Sequence, residues 1–229
     1  MLHLENVRVR QGSFTLEADL RIPKGARVAL MGASGSGKST LLSTLSGFLW
    51  PDAGRITMAD TEVTTAPVAD RPISILFQDG NLFPHLSVSD NIALGIAPDL
   101  KLTPEDRARV AEALAKVDLD GMGARMPSEL SGGQQSRVAL ARMLLRDKTI
   151  ALLDEPFSAL DPGLRREMLG LVRSLCDETG QTLIMATHDL RDAERLCDRV
   201  LLLDGGKVAL DGLLSEAIAD NAAPLRPWM

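Results

Sequence analysis

Long apolar runs are missing from this 229-residue chain. No stretch approaches the roughly 20 apolar residues that a membrane span needs, so no segment is expected to cross a bilayer. Cysteine is scarce. Cys176 and Cys197 are the only two, and their separation fits neither a metal site nor a disulfide framework. Both fall on apolar helical stripes, where a small core residue is the ordinary reading, and the pattern suits a reducing compartment. Positive charge is not in excess either. The formal net charge is −6, so no overall electrostatic footprint points to a nucleic-acid partner. The opening residues Met1-Leu-His-Leu-Glu5 show no basic-then-apolar leader. The expectation is a protein of the cytosolic side that meets a membrane only if something holds it there. No internal repeat, low-complexity segment or long heptad run stands out.

What is present is a sizeable hydrophobic fraction, 45%, and one stretch around which the chain is organised. Residues 32–40 read Gly32-Ala33-Ser34-Gly35-Ser36-Gly37-Lys38-Ser39-Thr40, which matches G-x-x-x-x-G-K-[ST]. The apolar run Arg27-Val-Ala-Leu-Met31 before it reads as a buried strand, and Leu41-Leu-Ser-Thr-Leu-Ser46 after it reads as a helix. Strand, glycine-rich turn and helix make a phosphate cradle. The glycines let the backbone wrap an anion closely, and inward N–H groups and the helix N-terminus supply partial positive charge. Lys38 is then expected to reach β- and γ-phosphates, and Ser39 to offer a hydroxyl to Mg²⁺.

Other segments fall around this centre. Residues 2–30 alternate weakly and break at Gly12-Ser13, as antiparallel strands would. Pro23-Lys24-Gly25 is a turn, residues 51–63 hold a turn and a short strand, and Ile73-Ser-Ile-Leu-Phe77 reads as a buried strand with Gln78 at its exit. Ligands of open α/β sheets sit beyond the carboxyl ends of strands, so Gln78 is a candidate for touching the site, although a solvated strand end reads the same way. From Asp79 to about Leu130 the character becomes helical. Leu82 and Phe83 look exposed in a loop with His85, itself read as an ordinary loop residue. Thr103-Pro104 with Asp106 caps a helix whose apolar face is Val110, Leu114 and Val117, with Ala111 beside them, and which Gly121 and Gly123 end.

Leu130-Ser131-Gly132-Gly133-Gln134 opens another helix and offers bare amides at a dipole end. An ordinary N-cap with permissive glycines produces the same pattern. Thr149-Ile-Ala-Leu-Leu153 is a further buried strand, and it runs into Asp154-Glu155. Two adjacent carboxylates at a strand end are costly to bury, and a cation relieves that cost. Asp154 suits Mg²⁺, and Glu155 can position or deprotonate a water at the γ-phosphate. Asp161-Pro162 caps a helix spaced Leu164, Met168, Leu171, Val172, Leu175. Thr182-Leu-Ile-Met-Ala186 is a strand followed by His188, which sits where it could donate to the γ-phosphate or serve structure alone, and Asp189 caps the next helix. Residues 200–210 form a hairpin with a glycine turn, and the tail ending Pro227-Trp228-Met229 is expected to be loose.

The ordered set of the phosphate loop, Gln78, Leu130-Ser-Gly-Gly-Gln134, Ile150-Ala-Leu-Leu-Asp-Glu155, Ser158-Ala-Leu-Asp161 and His188 resembles the ATP-binding subunit of ABC transporters over nearly the whole chain. The resemblance implies an α/β P-loop NTPase (RecA-like) core with an N-terminal antiparallel β subdomain and an inserted α-helical subdomain. It implies a single domain over 1–229, with core and β subdomain in 1–78 and 147–229 and the helical subdomain in about 79–146. It implies a head-to-tail homodimer with two ATP molecules between the copies. Residues 32–40 and Gln78 of one copy would hold MgATP, with Ser39, Gln78 and Asp154 serving the metal. Ser131, Gly132, Gly133 and Gln134 of the other copy would cap it. Glu155 would be the catalytic base, with His188 and Gln78 beside the γ-phosphate and Asp161 linking the two sites. The implied partners are a transmembrane permease, received partly by Leu82 and Phe83, and indirectly a periplasmic binding protein. The implied location is the cytoplasmic face of the bacterial inner membrane.

Two departures from that family stand out. No aromatic residue stands at Val9 to Gln11 to stack on adenine, Phe14 being the nearest aromatic, and Ser136 stands where the family more often has Gln. Segments 71–86, 91–96, 100–102 and 155–161 resemble the thiamine-importer branch, with small importers of polyamine, ferric iron or anions as the rival. A soluble ATPase of DNA repair or of ribosomes would carry coiled-coil arms or tandem domains, and a small P-loop kinase leaves Ser131-Gly-Gly-Gln134 unexplained.

Overall fold

Residues 27–31, 150–154 and 182–186 are apolar almost throughout, which marks strands covered on both faces. The computed structural model describes residues 1–77 and 81–229 and places these three strands side by side. They are β3 (Arg27–Met31), β7 (Ile150–Asp154) and β8 (Thr182–Ala186). With β6 (Ile73–Leu76) and β9 (Arg199–Asp204) they form a parallel run ordered β9-β3-β8-β7-β6. The hairpin partner β10 (Lys207–Leu213) is antiparallel to β9 and touches β2 (Phe14–Ile22) through the pair Lys207 and Glu17. Beyond it lie β1 (Leu2–Gln11), β4 (Ala53–Met58) and β5 (Thr61–Glu62), all paired antiparallel.

The weak alternation of the first strand has a local cause. Burial falls on Leu2 and Leu4, then on Val7 and Val9, so the phase slips by one residue. The register shifts at the same point, where Asn6 has a φ of +47°. This is a β-bulge, which inserts one residue and turns the strand.

Helices cover both faces of the sheet. α1 (Lys38–Ser46) packs with the antiparallel strands in one cluster, through Leu41, Leu42 and Leu45. α5 (Pro162–Thr179), α6 (Leu190–Leu196) and α7 (Leu214–Ala219) contribute to a second cluster with Met31, Leu153 and Met185. A third cluster joins α2 (Val88–Ala93), α3 (Pro104–Lys116) and α4 (Gly132–Leu145). α4 belongs to two of these, since Ala139, Leu140 and Met143 face the sheet cluster while Val138 and Ala141 face α2 and α3. One buried cation holds the exit of α1. The Arg71 guanidinium donates to the carbonyls of Thr44 (2.7 Å) and Leu45 (2.8 Å), and to those of Ala66 and Thr64. It thereby satisfies the orphan acceptors of a helix C-terminus, and burial lowers its pKa.

Four expectations need correction. The tail is ordered: Ala223–Trp228 forms a 3₁₀ turn anchored by Leu225, which is fully buried. Phe77 lies beyond the end of β6 and is 40% exposed. Leu82 is half-buried against two of the clusters, so only Phe83 of that pair is exposed. α3 ends at Lys116, before Asp118 with its φ of +54°; Val110, Leu114 and Val117 are buried as expected, but Ala113 joins them and Ala111 is exposed. The Thr103 and Asp106 capping box itself is present.

Candidate functional site

The parallel strands β3, β7 and β8 end on the same side of the sheet, so whatever follows each of them is gathered there. The residues gathered are the phosphate loop, the Asp154-Glu155 pair and His188. Together they line a cleft of about 690 Å³, with Gln11, Phe14 and Trp228.

The loop is shaped to surround an anion. Gly32 has a φ of +148°, and a Cβ there would lie 2.4 Å from both the Leu203 carbonyl and the Ser36 hydroxyl, so no other residue fits. Gly37 occupies the N-cap of α1 and supplies no side-chain cap, which leaves the first-turn amides to other acceptors. Lys38 Nζ donates to the carbonyls of Gly32 (2.7 Å) and Ala33 (3.1 Å), folding back across the loop. The Ser36 hydroxyl is buried without a hydrogen-bond partner. Thr40 is tied to the first hairpin by a hydrogen bond from its hydroxyl to Gln11 Oε1, 3.1 Å. Gly32, Ala33, Ser34, Gly35, Gly37, Lys38, Ser39 and Thr40 all line the cleft. Uncapped amides, a lysine and three hydroxyls form a donor set that fits a polyphosphate.

The carboxylates supply the complementary charge. Burial raises the pKa of Asp154, the neighbouring Glu155 raises it further, and Lys38 opposes both. A divalent cation held between Asp154 and the Ser39 hydroxyl fits this donor set, since Mg²⁺ needs few protein ligands and keeps water in its other positions. Glu155 stands in a left-handed backbone conformation, φ +44°, with its amide donating to the Ala186 carbonyl at 3.1 Å. Non-glycine residues in this region carry strain that collects at working sites. Its carboxylate Oε2 lies 3.1 Å from His188 Nδ1, so the two side chains meet across the ends of β7 and β8.

The Ser131 turn stands apart. Ser131 is the N-cap of α4, its hydroxyl accepts from the Gln134 amide, and Gln134 Oε1 accepts from the Ser131 amide in return. Ser131 and Gly132 are exposed. Gly133 is buried against Leu164, and a Cβ there would sit 2.3 Å from Leu164 Cδ2, so a larger residue would have to displace that side chain where α4 approaches α5. None of Ser131, Gly132, Gly133 and Gln134 lines the cleft of the same chain. Asp161 is the N-cap of α5, accepting from the amides of Gly163 and Leu164. Gln78 lies outside the described residues.

Several features escaped the sequence reading. Gln11 and Trp228 line the cleft without belonging to any motif. A second, more apolar groove of about 490 Å³ is bordered by Phe48, Phe77, Phe83, Leu94, Arg142 and Arg146. The guanidinium of Arg142 lies 5.9 Å from the centre of the Phe83 ring. Buried Asn91 fixes that loop: its amide nitrogen donates to the carbonyls of Phe83, Leu86 and Ser87, and its Oδ1 accepts from the Phe83 amide.

Comparison with known proteins bears on the same features. The family model described as ABC transporter matches residues 16–158. The thiamine import ATP-binding protein ThiQ of Jannaschia sp. (strain CCS1) is 82% identical over 229 residues, the whole of both chains. The protein of that name from Escherichia coli (strain K12) is 43% identical over 223 residues, 97% of this chain and 96% of the relative. Among solved structures, cbiO1 from Clostridium perfringens, part of the ABC transporter complex cbiONQ, superposes with a TM-score of 0.87 at 32% identity, covering 96% of this chain and 91% of that one. A dimeric, post-hydrolysis structure of the ATP-binding cassette MJ0796 bound to ADP and Pi gives a TM-score of 0.78 at 31% identity, covering 93% of this chain and 99% of that one.

Proposed function

The chain belongs to the ABC transporter family, and from that membership we propose that it is the ATP-hydrolysing subunit of an importer for thiamine or thiamine phosphates. The observation that carries the substrate is the 82% identity, without a gap in coverage, to a thiamine import ATP-binding protein. The observation that carries the chemistry is the single cleft holding the phosphate loop, Asp154, Glu155 and His188.

The residues divide the work by position. The loop amides and Lys38 bind the triphosphate, and Lys38 exchanges its present bonds to the Gly32 and Ala33 carbonyls for phosphate oxygens. Ser39 and Asp154 would hold Mg²⁺, which neutralises charge developing on the phosphate oxygens when bound. Glu155 orients the attacking water and takes its proton, while His188, in contact with Glu155, holds water and terminal phosphate in line. Ser131, Gly132 and Gly133 do not reach their own cleft, so a second copy facing the first would supply them. The dimeric form of MJ0796 supports this arrangement. The groove around Phe83 would receive a membrane permease, holding the subunit at the cytoplasmic face of the inner membrane. A periplasmic binding protein would act on the far side.

Two variants test the reading. Glu155→Gln is expected to bind ATP, to lower turnover at least a hundredfold and to accumulate an ATP-bound dimer on a sizing column; a monomer throughout, with ATP bound, contradicts the shared site. Lys38→Ala is expected to weaken ATP binding at least tenfold in titration calorimetry, and an unchanged isotherm removes its role. Uptake of radiolabelled thiamine by cells lacking and regaining this chain tests the substrate separately.

A further inference from the structure

Two aromatic side chains line the cleft, and they come from opposite faces of the sheet. Phe14 packs against the cluster that contains α1, and Trp228 against the cluster that contains α5, α6 and α7. On the reading proposed above, the terminal phosphate would lie toward Asp154, Glu155 and His188, and the rest of the nucleotide would leave past Thr40, Gln11 and Phe14, whose Cζ is 3.0 Å from where a Cβ on Gly37 would stand. His188 immediately precedes the Asp189 cap of α6, so Trp228 shares its face with the terminal-phosphate end.

That end is where the cleft is incomplete, because the Ser131 turn of the same chain does not reach it. The tail is also built to hold the indole in place. Leu225 is fully buried, the Ala222 amide donates to the Ala217 carbonyl at the end of α7, and Arg226 Nε donates to the Asn221 carbonyl. A half-buried tryptophan at the rim of an unfinished site, carried by an anchored turn, has the character of an interface anchor.

We propose that Trp228 is part of the surface that closes against a second copy of this chain, and that its indole is covered when ATP draws the copies together. The proposal rests on the face-to-face reading given above. It adds a contact from outside all the nucleotide motifs, continuous with that interface.

The chain contains only two tryptophans, Trp50 and Trp228, and Trp50 is 63% exposed. A Trp50→Phe, Glu155→Gln protein therefore carries Trp228 as its sole indole and retains ATP. Fluorescence and iodide quenching are read across a hundredfold range of protein concentration, with MgATP, MgADP or no nucleotide, alongside light scattering. The expected result is a blue shift and at least a twofold loss of quenching with MgATP that follows the dimer fraction, and little change with MgADP. A change that saturates with either nucleotide at every protein concentration means the indole touches nucleotide within one copy and overturns the proposal. Dimer formation with no change at the indole also overturns it. No dimer under any condition removes the underlying reading and this one with it.

Affinity gives a second measure. Trp228→Ala in the Glu155→Gln background is expected to raise the protein concentration for half-dimerisation about tenfold, the size typical of truncating a buried interface tryptophan. The thermal midpoint of the monomer checks that the tail still folds, and Trp228→Phe is expected to recover most of the affinity. An unchanged midpoint of dimerisation contradicts the contact.

Discussion

Gly32 and Gly132 stand at opposite extremes of what a methyl group would meet. At Gly32 the methyl collides with a backbone carbonyl at 2.4 Å, and the φ of +148° adds strain. Gly32→Ala is therefore expected to cost about 2–3 kcal/mol of stability and to abolish nucleotide binding, measured by denaturant unfolding and ATP titration. At Gly132 nothing lies within 4 Å and the backbone is helical. Gly132→Ala is expected to leave the monomer as stable or up to about 1 kcal/mol more stable, while ATPase activity falls at least tenfold because the methyl would enter the path of the phosphate held by the proposed second copy. Equal activity in that variant would argue that the turn meets no ligand. Both glycines were legible as members of motifs. Which one is confined by its own fold was not, because the confining atom at Gly32 belongs to Leu203, 171 positions along the chain.

α5 and α6 each follow a turn that carries a proposed working residue, Asp161 or His188, and Arg165 straps their first turns together. Its guanidinium pairs with Asp192 and lies 4.0 Å from Asp189, the N-cap of α6. Burial raises the pKa of Asp192, and Arg165 opposes that shift. Removing one partner of such a pair leaves a buried charge uncompensated, at a cost of about 3 kcal/mol. Arg165→Met is expected to lower both the thermal midpoint and kcat while leaving KM for ATP within twofold. Arg165→Met with Asp192→Leu should restore the midpoint but not kcat, since His188 still loses its tether. Recovery of kcat in the double variant would reduce the strap to a packing role. The caps at Asp161 and Asp189 were readable from adjacent residues. The strap was not, because it joins two helices through a sheet crossover and leaves no local periodicity.

The whole molecule shows three exposed phenylalanines on one groove, Phe48, Phe77 and Phe83 at 56%, 40% and 44%. A cluster of exposed aromatics of this kind marks a binding surface. Phe83→Ala with Phe48→Ser is expected to leave the ATPase of the isolated subunit within twofold and to abolish co-purification with the membrane partner; undiminished co-purification would move the contact elsewhere. The sequence predicted burial for Phe77 because an apolar run does not announce where its covering layer stops. Likewise, three closing residues rich in proline and aromatic character read as loose, whereas the anchor, Leu225, lies just before them. The nucleotide cleft was legible because its residues are contiguous in short motifs, whereas the groove was legible only at Phe83 because its other walls come from separate segments. α4 spans both regions. Its last turns carry Arg142 and Met143 at the groove, and Ser131 stands at its other end. Fourteen residues at about 1.5 Å each make a rod of about 21 Å. On the reading proposed above, a push delivered at the groove would therefore reach ATP held by a facing copy in one stroke, with no relay of side chains between them.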